Sequence, residues 1–201
     1  MNLIDLTVRD FSAVLASDAP APGGGSVAAL SGALGAGLVS MVANLTKGRE
    51  KYAEYDTLAK SVLLKSEELR ARLLEAVQKD TNAFDAVMAA FGLPKDTDEA
   101  KAVRAAAIQA AYKEAVASPT ATAEYCLEVM KIATSLAGKS NPNAASDLTV
   151  GIAQAHAGVK GALANVRINL PSIKDDAYIA DKKAWAARLE SEAEALESKL
   201  R

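Results

Sequence analysis

Between Ser26 and Leu45 the chain carries no charged residue, and small side chains recur at Ala28, Ala29, Ser31, Gly32, Ala33, Gly35, Ala36, Gly37 and Ser40. A glycine inside a helix costs about 0.5–1 kcal/mol relative to alanine, so a helix holding several must gain from the close approach of another backbone. The stretch is therefore read as a central packing helix around which the other helices are arranged. About 20 uncharged residues would also suffice to cross a bilayer. Ser26, Ser31, Ser40, Asn44 and the glycines make this stretch only weakly hydrophobic, no second such span follows, and no membrane partner is expected.

Immediately upstream stands Pro20-Ala-Pro-Gly-Gly-Gly-Ser-Val27. Three consecutive glycines reach backbone conformations closed to other residues, and Ser26 reads as an N-cap for a helix beginning at Val27. The amides at such a helix start lack partners and sit at the positive end of the macrodipole, so Gly23, Gly24, Gly25 and Ser26 offer donors to an anion or a polarised carbonyl. A Gly-rich cap without a ligand is an equally ordinary way to begin a helix, and the turn alone names no function.

The 201 residues suit one domain spanning 1–201 with a substantial core. A net charge of -2, with Lys, Arg, Asp and Glu intermixed, argues against a nucleic-acid footprint. The lone Cys126 excludes an internal disulfide framework and fits a reducing, cytoplasmic setting; with a single histidine besides, no metal site is expected. The start, Met1-Asn-Leu-Ile-Asp-Leu6, places an acid where a signal peptide would carry cations. Abundant alanine and 4% aromatics point to an all-α fold, a single bundle of long helices around the Gly/Ala-rich one.

Along the chain, Thr7 predicts a capped helix over Val8–Ala16 that presents Phe11 and Leu15 inward. Gly48 reads as a C-cap after the central helix. A long helix is expected from about Asp56 to Phe91, with a stripe of Leu69, Leu73, Ala76, Val77, Ala83, Phe84, Val87 and Phe91 interrupted by Asp80. A carboxylate in an apolar row is costly unless partnered, so Asp80 marks either a structural ion pair, the commoner use, or a functional acid. Asp98–Ala117 follows after Gly92-Leu-Pro94, and Pro119 reads as the first turn of a further helix through Leu136. Tyr125 and Cys126 read as core.

From Ala144 to Asn169 a helix at about 100° per residue gathers Asp147, Gly151, Gln154, Gly158, Gly161, Asn165 and Asn169 on one narrow face. Glycines leave room and amides supply directed donors and acceptors, as a ligand wall requires; a tight helix crossing is the other use of such a face. His156 falls opposite Asp147 and gains no role. A last amphipathic helix over about Asp175–Leu200 carries Trp185, Leu189, Ala193 and Leu196.

Taken together, Pro20-Ala-Pro-Gly-Gly-Gly-Ser-Val-Ala-Ala-Leu30, Met41-Val-Ala-Asn-Leu-Thr46 with Gly48-Arg49, Leu93-Pro-Lys95, Asn141 with Ser146-Asp147, and Gly161-Ala with Asn165-Val-Arg-Ile-Asn-Leu170 resemble the formimidoyltetrahydrofolate cyclodeaminase family, which also contains stand-alone methenyltetrahydrofolate cyclohydrolases. The likeness runs from about Leu3 to Asp176. It implies an all-α fold, a homodimer, a reduced folate as substrate and no metal or redox cofactor. The formimidoyltransferase domain of two-domain relatives is not in this sequence, which makes a separate formimidoyltransferase an expected partner.

On that resemblance, cyclodeamination to methenyltetrahydrofolate and ammonia stands slightly ahead of cyclohydrolysis to formyltetrahydrofolate, with a non-catalytic folate-binding scaffold as the alternative of another class. Asp147 is the first choice for the proton-transferring carboxylate and Asp80 the second. Arg49 and Lys51 are expected to hold the glutamate carboxylates, and Asn141, Asn165 and Asn169, with the Gly23–Ser26 turn, the remaining polar edges.

Overall fold

The uncharged stretch forms one continuous helix, α2, Gly24–Thr46. In the computed structural model, which describes residues 2–198, it is preceded by α1 (Val8–Leu15) and followed by α3 (Asp56–Phe91), α4 (Asp98–Leu136), α5 (Ala145–Asn169) and α6 (Asp176–Ser198), with one short 3-10 turn before α1, three more between later helices and no strand among the described residues. Helix α2 packs against α3, α4 and α5, and α6 lies across α4 and α5. The all-α bundle around a Gly/Ala-rich helix is thus what the chain adopts. The last expected helical residues, 199 and 200, lie outside the described residues.

The glycines of α2 and α5 meet where the two helices cross. A Cβ on Gly35 would lie 2.6 Å from the Gly151 carbonyl oxygen, and one on Gly158 would lie 2.9 Å from that of Ala28. The Cys126 sulfur, from α4, fills the space beside this crossing: it is the nearest atom to a Cβ built on either Gly32 or Gly158. Bulk at these positions would force the backbones apart, so the small residues carry the packing that their helix cost demands. By length and hydropathy α2 could cross a membrane, but 61% of its most apolar window is buried by its neighbours.

Three local expectations are corrected. The N-cap of α2 is Gly23, not Ser26, and the helix begins at Gly24; Ser26 is fully buried in its first turn and bonds to α3 instead. Leu15 is 39% exposed, so only Phe11 of α1 packs against the core, beside Ala29 and Val77. Pro119 begins no new helix: α4 runs through it unbroken. A proline has no N–H for the carbonyl four residues back, here that of Ala115. The Asn169 Nδ2 donates to that oxygen at 3.3 Å, from the far end of α5, which lets the helix continue.

Candidate functional site

Helices α3, α4 and α5 extend past the start of α2, and the space left at its N-terminus is a cavity of about 350 Å³. Its floor is Gly23, Gly24 and Gly25; Asp80, Thr81, Phe84 and Met88 come from α3, Tyr112 and Ala115 from α4, and Asn165, Ile168 and Asn169 from α5. A wider groove, about 630 Å³, runs between α3 and α4, but its charged residues are exposed helix-face groups such as the Lys79–Glu75 pair, at 3.2 Å. The smaller cavity holds the polar group that burial has made unusual.

That group is Asp80. Ser26 Oγ lies 2.9 Å from the Val77 carbonyl oxygen and 3.1 Å from Asp80 Oδ2, with Thr81 Oγ1 at 3.4 Å, and the Ser26 amide donates to the same carboxylate. A Cβ on Gly25 would overlap the Asp80 carboxylate, so glycine there is what lets the acid rest on the helix start. No cation pairs with Asp80 among the described residues, which removes the ion-pair reading. Burial pushes the carboxyl above the usual aspartate range, and the Ser26 hydrogen bonds offset that only partly. A carboxyl so held is suited to giving and taking protons.

The amides expected on the wall are present but partly engaged. Asn165 Nδ2 donates to the Gly161 carbonyl at 2.9 Å and stands over Gly24, where a Cβ would approach it to 3.4 Å. Asn169 Nδ2 is shared between Ala115 and Asn165 carbonyls. Both therefore present their side-chain oxygens, as acceptors, to whatever binds.

Other expected residues lie elsewhere. The glycines between Asp147 and Asn165 form the α2–α5 crossing, not a ligand wall, and Asp147 sits half-buried at the opposite end of α5, about 27 Å along the helix from Asn165. Within one chain Asp147 shares no cavity with Asp80 or the triple glycine. Arg49 and Lys51 are exposed beyond the C-terminus of α2. Asn141 serves the backbone there: its amide donates to Thr46 Oγ1 at 3.0 Å, and its Oδ1 accepts from Tyr52 Oη and the Asn143 amide. His156 is buried under α6, its Nδ1 3.3 Å from Glu197 Oε2.

Phe84, Met88, Phe91, Tyr112 and Ile168 were not singled out as site residues by the sequence. Phe84 and Phe91 read as core because they continue the α3 stripe, yet with α2 absent at that level they are 37% and 43% exposed and form an apolar rim with Met88 and Ile168, at 54% and 75%. Phe91 meets Tyr112 edge-on, ring centroids 6.2 Å apart. The signal available was the mismatch in length: the stripe of α3 outruns the helix that covers it.

Comparison with known proteins agrees with this architecture. A family profile described as formiminotransferase-cyclodeaminase matches residues 7–188. The chain is 47% identical over 194 residues to a methenyltetrahydrofolate cyclohydrolase of Methylorubrum extorquens, covering 96% of this chain and 93% of that protein. It is 38% identical over 192 residues to the formimidoyltransferase-cyclodeaminase of Sus scrofa, of which it spans 36%. A crystal structure of formiminotetrahydrofolate cyclodeaminase from Thermotoga maritima superposes with a TM-score of 0.88 at 27% identity, over 98% of this chain and 95% of that one.

Proposed function

Because this chain belongs to the formiminotransferase-cyclodeaminase family, we propose that it is a folate one-carbon enzyme whose reaction takes place at the cavity before α2, with Asp80 as the proton-transferring group. Two reactions fit the family. In cyclodeamination one folate nitrogen attacks the formimidoyl carbon carried by the other; the new C–N bond forms, the exocyclic C–N bond breaks, and a proton accompanies the departing ammonia. In cyclohydrolysis water adds to the methenyl carbon, one ring C–N bond breaks as the oxygen becomes the formyl carbonyl, and of the two protons the oxygen loses one goes to the released nitrogen and the other to solvent. Both pass through a tetrahedral carbon held by two folate nitrogens, and both need one group that moves a proton across a short distance.

The observation that supports this reading is the Asp80 carboxyl: half-sheltered, anchored by Ser26, free of any cation among the described residues and raised in pKa. The apolar rim offers flat contact to a pterin, and the Asn165 and Asn169 oxygens accept from its ring N–H groups. The full-length similarity to a cyclohydrolase favours hydrolysis as a physiological direction alongside deamination. Following the methenyl absorbance as it forms from formimidoyltetrahydrofolate, or decays in water, tests both. Full turnover of both substrates by a folded Asp80→Asn variant would refute the assignment. Homodimerisation, a cytoplasmic location and a separate formimidoyltransferase complete the proposal; no metal is invoked.

A further inference from the structure

The Ser26 hydroxyl has a single hydrogen and two acceptors within reach. Its Oγ lies 2.9 Å from the Val77 carbonyl oxygen and 3.1 Å from Asp80 Oδ2, and the side chain is fully buried, out of contact with bulk water. The Val77 oxygen belongs to the interior of α3, where the Thr81 amide meets it in the ordinary helical pattern, so it can accept from Ser26 without depending on it. A buried hydroxyl with nothing to donate to costs free energy; this one has a partner whichever way it turns.

The charge on Asp80 decides between the two acceptors. Toward a carboxylate the hydroxyl makes a charge-assisted bond, stronger than one to a neutral carbonyl. Once the carboxyl holds a proton that advantage is gone, and the shorter contact, to Val77, is the better one. With its hydrogen on Val77, Ser26 Oγ is left with lone pairs for Asp80 and for Thr81 Oγ1, which stands 3.4 Å away. No other charged side chain lines the cavity. Tyr112 of α4 is the other titratable group on its wall, α5 brings the neutral Asn165 and Asn169, Lys79 pairs outward with Glu75, and Asp10, Asp18 and Asp85 are exposed.

On the reading of Asp80 as the proton-transferring group, we propose that Ser26 is its positioning residue and works as a rotor, holding the carboxylate by its hydroxyl and turning to the Val77 oxygen when the carboxyl is protonated. When Asp80 takes a proton, an O–H or N–H bond on the substrate breaks, its electron pair stays with the substrate, and a new O–H bond forms on the carboxylate from an oxygen lone pair; returning the proton reverses both changes. Ser26 keeps its own hydrogen throughout. Neither form of the acid leaves the buried hydroxyl unpaired, which lowers the cost of passing between them. A fixed cation beside Asp80 would favour one form alone.

The test reads Asp80 directly. The aspartates of the full chain are isotope-labelled at their carboxyl carbons, the Asp80 resonance is identified by its loss in Asp80→Asn, and its titration is followed by NMR in the parent and in Ser26→Ala. Removing the hydroxyl should raise the midpoint by about one pH unit, and the acid limb of the pH–rate profile should move with it. Below the midpoint Ser26→Ala should still unfold at lower urea than the parent, because the missing hydroxyl is bonded to Val77 there. Ser66→Ala, which removes a second buried hydroxyl contact between α2 and α3, to Ser40 at 2.7 Å, should cost stability and leave the midpoint in place. Where Ser26→Ala folds poorly, Ser26→Cys, whose thiol donates weakly, should give a smaller rise of the same sign. An unmoved midpoint would make Ser26 a plain tie between helices and overturn the proposal with the role of Asp80 intact. A Ser26→Ala variant more stable than the parent below the midpoint would overturn the turn to Val77. Full turnover by Asp80→Asn would instead sink the folate reading at this cavity, and the titration would still judge the hydroxyl.

Discussion

Gly25 lies directly beneath Asp80, so closely that a side chain at position 25 would occupy the space of the carboxylate. The relationship ties the glycine-rich turn to the proton-transferring group: the turn is tight because an acid from α3 rests on it. Gly25→Ala should therefore act on the reaction through Asp80. We expect turnover to fall about 100-fold or more, within the range for displaced general acid–base groups. Far-ultraviolet circular dichroism should show the helices retained. Unchanged turnover would mean that the carboxylate position is immaterial.

Asp80→Asn should lower turnover by about 100- to 10,000-fold without lowering stability. Burial raises the folded-state pKa above the unfolded value of 3.8, so the stability Asp80 contributes is complete below that value and is lost as pH rises through the raised one. The asparagine variant escapes that loss. Its melting temperature relative to the parent should climb with pH through that window, and the acidic limb of the pH–rate profile should vanish with the carboxyl. A constant difference in melting temperature from pH 3 to pH 7 would contradict the assigned shift.

Cys126 should be inert in the folded protein. The thiol is fully buried against the α2–α5 crossing, and burial pushes its pKa up to about 12. A maleimide at pH 8 should label the chain only as fast as it unfolds. Gly158→Ala, whose Cβ would approach Cys126 Sγ to 2.6 Å and the Ala28 oxygen to 2.9 Å, should cost about 1–3 kcal/mol and speed that labelling. Rapid stoichiometric labelling of the native protein would show the crossing to be looser than described.

Periodicity made the centrality of α2, the span of α3 and the oddity of Asp80 readable from sequence, because each depends on residues within a few turns of one another. It could not separate the two ends of the α5 face. A helical wheel superimposes Asp147 and Asn165, although the helix carries them about 27 Å apart and only the second reaches the cavity. The apolar rim was hidden for a related reason: whether Phe84 and Met88 are core or site depends on where α2 begins, and that is set by packing between segments distant in sequence.

Pro119 shows the same limit and gives the last prediction. Locally a proline ends or begins a helix; here the oxygen it leaves unpaired, on Ala115, is taken by Asn169 at the far end of α5, at 3.3 Å. Asn169→Ala should strand that half-buried carbonyl and cost about 1–3 kcal/mol in urea denaturation. In a Pro119→Ala background the restored N–H can serve the same oxygen, so the cost of Asn169→Ala should fall by about half or more, a coupling a double-mutant cycle measures. Additive losses would mean that the Ala115 oxygen finds another donor and that Asn169 stays in place for its acceptor oxygen at the cavity alone.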